Sequence, residues 1–258
     1  MQFRKTNPGP LIVAAALSLA LAGCGGSKIL KEPEPLVVTQ SLANASDQKL
    51  LVTLDWVIVR GGPGTWAKNA DWDEYLLRVQ NAGDEAIRVT DVTVTDSLGT
   101  RVESSGDRKE LIRGARDAKR RYKGEGLEVK AGAGAGTMMV AGAVTAAAAV
   151  SVGTAALFTS QALAGAALGG LVLAPALAVG GVFRGVNNSK VGKQIEARQT
   201  PFPVVLQKGE EKPLDVFFPL TPSPRQVEVT YVDSLGEHIV IVDTHASLQG
   251  LHLDKDAK

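Results

Sequence analysis

Hydrophobic and polar residues alternate with a period of two on both sides of a long stretch that has no such period. KLLVTLDWVIVR (49–60) and EYLLRVQ (74–80) are strand-like, and AIRVTDVTVTD (86–96) places Ile87, Val89, Val92 and Val94 on one face. The same pattern returns in FPVVLQ (202–207), PLDVFFPL (213–220), QVEVTYV (226–232) and HIVIVD (238–243). Asn81-Ala82-Gly83-Asp84-Glu85 is a turn in which Gly83 can supply a positive φ. VTVTDSLGTRV (92–102) and VEVTYVDSLGEHIV (227–240) both run a strand into Asp-Ser-Leu-Gly and out into another strand. Asp96 and Asp233 can open these turns through their side chains, and Gly99 and Gly236 can take the left-handed position.

Roughly eight short strands at turn-punctuated intervals predict a mainly β chain, an antiparallel sandwich of immunoglobulin-like form. Neither half has enough strands to bury a stable core alone. The expected organisation is therefore one sandwich built from residues 36–104 and 201–245, interrupted by an insertion, and followed by a polar C-terminal tail at 246–258. VQNAGDEAIRVTDVTV is also similar to the strand-turn-strand of many bacterial immunoglobulin-like domains.

The insertion starts with a helical period. Within 105–130, Ser105 or Asp107 can cap a helix whose apolar stripe is Leu111, Ala115, Ala118 and Tyr122. Its other faces carry Arg113, Arg116, Lys119, Arg120, Arg121 and Lys123, and beyond the apolar run come Arg184, then Lys190, Lys193 and Arg198 in a basic connector, 186–200. Between these basic feet, residues 131–183 contain no charge. A single spanning helix needs ~20 apolar residues, so this run suffices for two, read at about 135–158 and 162–183 with a turn at Thr159-Ser160-Gln161. Such a hairpin returns the chain to the side it left, as a sandwich completed by both flanks requires.

Small residues dominate the run. In lipid, helices associate by close packing of small side chains, since apolar side chains gain nothing by leaving lipid for one another. Gly132 and Gly136, then Gly142 and Ala146, recur at four-residue spacing, as do Ala162, Ala166 and Gly170 beside Gly165 and Gly169, and Gly181 with Gly185. This is a glycine-zipper-like pattern within 131–185, suited to a homo-oligomer. Alanine and glycine also give little insertion drive, so the hairpin can pass one membrane and enter another. The basic residues at its feet, Arg113, Arg116, Lys119, Arg120, Arg121, Lys123, Arg184 and Lys190, are placed to meet lipid phosphates.

The first residues determine the compartment. Arg4 and Lys5 precede an apolar stretch at 11–22, a signal-peptide layout. It ends in Leu21-Ala22-Gly23-Cys24, which resembles the lipobox of bacterial lipoproteins. The resemblance implies removal of residues 1–23 and acylation of Cys24, including palmitate, as the first mature residue. Gly25 in place of Asp implies release to the outer membrane. Cys24 is the sole cysteine, so the chain has no internal disulfide. GGSKILKEPEP then serves as a short linker within 24–35.

The whole layout is similar to surface-exclusion and complement-resistance outer-membrane lipoproteins, which join a lipobox to a Gly/Ala-rich hairpin inserted in a globular domain. This implies an oligomeric, lipid-anchored component of the cell envelope, structural or pore-like. A monomeric tethered module whose sandwich captures an envelope protein is the alternative. No catalytic constellation stands out. His238, His245 and His252 read as scattered surface residues without a metal, and GLHLDKDAK as a frayed end. Phosphate-loop and nucleophile-elbow motifs are absent, no cofactor is implied, and a net charge of +1 argues against nucleic acid. Trp66 and Trp72, in RGGPGTWAKNADWDEY (60–75), either rest at a membrane interface or on a partner, or fold back over the sandwich end.

Overall fold

A computed structural model describes residues 26–32, 36, 38–132 and 184–254. The hairpin expected within 131–185, with Gly136, Gly142, Ala146, Ala162, Gly165, Ala166, Gly169, Gly170 and Gly181, lies almost wholly outside them, as does Cys24. The described chain is mainly β. In order it contains β1 (Lys28–Ile29), β2 (Ala43–Ser46), β3 (Leu50–Ile58), β4 (Ala67–Lys68), β5 (Trp72–Asn81), β6 (Ile87–Thr95) and β7 (Arg101–Glu103). Two helices follow, α1 (Arg108–Gly124) and α2 (Arg184–Arg198). Next come β8 (Val204–Leu206), β9 (Glu211–Pro219), β10 (Gln226–Asp233), β11 (Gly236–Asp243) and a short α3 (His245–Leu248).

Two antiparallel sheets share one core. The first has the order β2-β3-β5-β9, the second β11-β10-β6-β7, with β8 also paired to β6. Both halves of the sequence contribute to each sheet, so the β domain closes only when the chain returns from the insertion. Inward residues such as Leu54, Leu77 and Phe218 from one sheet meet Val92, Val229 and Val242 from the other, all fully buried. The three-residue step from Val89 to Val92 does not break this face. Opposite Thr230 and Tyr231 the register jumps from Asp91 to Val89, so Thr90 is a bulge that keeps both valines inward.

The two Asp-Ser-Leu-Gly turns are as expected. The Asp96 carboxylate accepts from the amides of Leu98 and Thr100, and that of Asp233 from Leu235 and Gly236, with Gly99 and Gly236 at positive φ. The turn at 81–85 differs. Gly83 is not among the positive-φ glycines; its amide instead donates to Asn81 Oδ1, and the turn passes the chain from β5 in one sheet to β6 in the other.

The outer face of the first sheet is also buried, by elements the strand pattern does not announce. Leu36, Val38 and Leu42 pack with Trp56, Ile58 and Leu76. Beside them α1, α2 and the loop between β3 and β5 bury Trp66, Trp72, Leu111, Val191, Ile195 and Phe217 together. In α1 all four stripe residues are buried and Asp107 is the cap, its carboxylate accepting from Lys109 N at 2.6 Å. The expected basic connector at 186–200 is instead most of α2, because Val191 and Ile195 form a one-sided apolar strip that docks on the sheet. Nor are residues 246–254 a frayed tail: Leu248 and Leu251 join the core shared by the two sheets, and His252 is fully buried.

Candidate membrane-facing site

The chain ends that lead to the expected anchor and hairpin meet around one loop, residues 59–71. β1 pairs with β4 inside this loop, Lys28 opposite Lys68 and Ile29 opposite Ala67, and Leu30 N donates to Trp66 O. Part of the expected short linker is thus paired with the domain, from Lys28. Ser27 Oγ donates to Asn69 O at 3.5 Å and accepts from Arg108 Nη2 at 2.9 Å, and the same Nη2 donates to Asn188 Oδ1 at 2.9 Å. Gly26 lies so close to Asn188 that a Cβ on it would stand 3.0 Å from Oδ1. Asn188 is one helical turn into α2, the element by which the chain re-enters from the insertion.

The outgoing side is held by the same loop. Gly132, at φ +108°, packs on the Arg60 carbonyl so closely that a Cβ would come within 2.8 Å of that oxygen. Arg60 Nε in turn donates to Ala70 O, and its guanidinium pairs with Asp71 at 3.0 Å. Residues 26, 132 and 188 therefore all attach to, or directly beside, one connection between β3 and β5.

A buried clamp fixes the outgoing chain. His252 Nε2 lies 2.7 Å from Asp73 Oδ2, and both side chains are fully buried. The other ring nitrogen, Nδ1, faces the carbonyls of Lys130 at 3.1 Å and Gly132 at 3.0 Å, so it donates. Lys130 N bonds His252 O, Asp254 N bonds Glu128 O, Val129 bridges Leu253, and Lys130 pairs with Asp254. Sequence reasoning placed His252 on the surface; Asp73, its partner, lies far upstream in β5, and no local pattern joins them.

A second buried polar group holds the incoming chain. At the end of α2, Arg198 Nε donates to Glu74 Oε1 at 2.8 Å, and its guanidinium stands 5.4 Å over the Trp66 ring. Trp66 Nε1 donates to Glu74 Oε2 at 2.6 Å. Asp215 lies beside this pair, its carboxyl pushed well above the usual carboxylate range by burial and by the charge of Glu74, against the pull of Arg198. The adjoining cavity, lined by Trp66, Trp72 and Glu74 among others, is about 10 Å³, room for one water and no substrate. The tryptophans thus fold back over the sheet, and the carboxylates fasten α2 to it. A larger groove of about 310 Å³ runs between β7 and α1, lined by Arg101, Glu103, Asp117 and Arg121.

The expected headgroup-contacting residues divide by environment. Lys119 pairs with Asp71, Arg121 with buried Asp96, Arg113 with Glu110 and Arg120 with Asp117. Arg116, Lys123 and Lys190 point to solvent. Arg184 and Gly185 open α2. Sequence reasoning missed Lys28, Lys68 and Arg108, which gather near Ser27 and Asn69; only their nearness to Cys24 and to the Trp66 loop could have marked them. Among the described residues there is no group able to hold a metal ion, and no helix long and apolar enough to cross a membrane. Comparison with protein-family models, with curated proteins and with solved structures gave no match.

Proposed function

We propose that this is a non-enzymatic outer-membrane lipoprotein, a structural or pore-like envelope component that holds a β domain against the membrane at three points of its chain. The three points are acylated Cys24 and the two feet of a glycine-zipper-like hairpin within 131–185, through which copies oligomerise. One observation carries the reading: Gly26, Gly132 and Asn188 all gather at the loop 59–71. Cys24 is two residues from Gly26, so its acyl chains start within about 7 Å of that corner. An anchor and a hairpin leaving from opposite sides could not enter one bilayer together; leaving from one side, they can.

The strand order supports an immunoglobulin-like sandwich. With β1, β2, β4 and β8 set aside, seven strands remain in chain order. The first, second and fifth form one sheet, and the third, fourth, sixth and seventh the other. This differs from the constant-type arrangement in the fourth strand, which here joins the second sheet. The insertion occupies the connection between the fourth and fifth strands, where a crossing loop tolerates length.

The experiment replaces residues 1–24 by a non-lipoprotein signal peptide and washes the membranes with alkaline carbonate. Retention is expected, because residues 131–183 integrate without the acyl chains. Release of a folded soluble protein would refute the spanning hairpin. The tethered binding module is the second reading, favoured by one feature: among the described residues β11 is a sheet edge, with Ile239 and Ile241 45% and 54% exposed and Leu235 79% exposed at its tip.

A further inference from the structure

We infer that Arg108, with Ser27, Asn188 and the facing lysines Lys28 and Lys68, forms a binding site for a phosphate group, supplied by the headgroup of an anionic phospholipid beside the anchor. The inference rests on the membrane-facing reading above and gives that surface a ligand.

Arg108 is a half-buried cation held by neutral groups. Its Nη2 donates to Ser27 and Asn188, while its Nε is buried without a partner, and no carboxylate of the described residues lies within ion-pair distance. Asp71 is the acid that acts on it from farther away, and Asp71 is already shared between Arg60 at 3.0 Å and Lys119 at 3.2 Å. Three cations thus depend on one carboxylate. Burial pushes the Arg108 pKa down, which marks a charge short of compensation. Residues 1–25 and 133–183 contain no Asp or Glu.

A second observation is independent of Arg108. Lys28 and Lys68 are direct cross-strand partners, both exposed, with no ion pair to any described carboxylate. Like charges directly opposite one another destabilise a strand pair, and an anion between them reverses that sign. β1 connects through Ser27 to the Arg108 cluster, so the two excesses of positive charge adjoin. A half-buried guanidinium without a carboxylate partner suits phosphate oxygens, and the exposed ammonium groups of Lys28 and Lys68 add point charges beside it. Ser27 lies three residues from the proposed acylated position, Cys24, so the site is near the anchor.

The test uses full-length lipidated protein in neutral detergent, titrated with dioctanoyl phosphatidylglycerol or dioctanoyl phosphatidylcholine and read by native mass spectrometry. Wild type is expected to retain phosphatidylglycerol in preference to phosphatidylcholine. Arg108→Gln should weaken that retention about tenfold, the loss of one charge-assisted contact. Asn188→Asp offers Arg108 an internal carboxylate and should abolish the preference while keeping the fold, which covers the case in which Arg108→Gln does not fold. If millimolar inorganic phosphate displaces the lipid with the same dependence on Arg108, the phosphate site stands and the headgroup as its source is overturned. Equal phosphatidylglycerol retention by wild type and both variants, or none by wild type, overturns the site itself. The carbonate wash separates this from failure of the spanning hairpin, because it does not depend on Arg108.

Discussion

Replacing His252 by Ala should destabilise the protein far more than loss of a surface histidine would. The ring has three polar contacts: Asp73 at 2.7 Å and the carbonyls of Lys130 and Gly132 at 3.1 and 3.0 Å. Asp73 Oδ1 already has no partner among the described residues, so removing the imidazole leaves a buried carboxyl with neither oxygen satisfied. Breaking one side of such a buried pair costs about 3–5 kcal/mol. Replacing both partners by apolar residues, Asp73→Leu with His252→Leu, removes the stranded group and should cost less than the sum of the single changes. The assay is urea unfolding of the full-length protein in detergent, followed by tryptophan fluorescence, with the four variants of the cycle measured together. A His252→Ala loss below about 1 kcal/mol, or additive single and double variants, would refute the clamp. The same variant should also make residues 127–132 an early site of proteolysis, since the pairing of Val129 with Leu253 depends on the buried histidine.

Three further outcomes follow from particular contacts. Asp215 has a raised pKa in the folded chain, so the fold binds its proton more tightly than the unfolded chain does. Its contribution is therefore present below the ordinary carboxylate range and lost as pH rises through the folded value; Asp215→Asn should gain stability relative to wild type at pH 7 and not at pH 3, measured by urea midpoints. Gly114→Ala should lose about 1–3 kcal/mol in the same assay despite alanine's better helix propensity, because its Cβ would come within 2.7 and 2.8 Å of the Pro219 ring where α1 crosses β9. Lys68→Glu should raise the thermal midpoint slightly by ending the opposition with Lys28, and weaken phosphatidylglycerol retention.

The strands were legible because each carries its own period, and the core needs only that period. The sequence reading put Val89 and Val92 on one face although they stand three residues apart, and a bulge at Thr90 makes that possible. Helix α1 was legible through four stripe residues and a capping Asp107. Helix α2 was not, because two apolar residues among charges give too weak a stripe, and its docking depends on Trp66 and Phe217 supplied by distant segments. The acids Glu74 and Asp215 lie in strand-like runs whose sequence carries no sign of their burial. They are buried because a helical layer covers that face, which no strand period announces. His252 failed for a related reason: a polar terminal run suggests fraying, and its folding back depends on Asp73, 179 residues away. The corner that gathers the three chain ends was invisible for the same reason, being assembled from residues 26–28, 60–71, 108, 132 and 188.

Which side of the domain meets the bilayer is the central claim, and depth-dependent quenching tests it most directly. Cys24 is the sole native cysteine and its thiol is acylated in the proposed mature form, so single cysteines can be introduced and labelled with a fluorophore at Lys68 and at Leu235. These sit toward opposite ends of the β domain, about 25 Å apart if the eight residues of β10 set the scale. In vesicles containing headgroup spin-labelled lipid, the account predicts strong quenching at position 68 and little at 235. Equal quenching, or stronger quenching at 235, would contradict it.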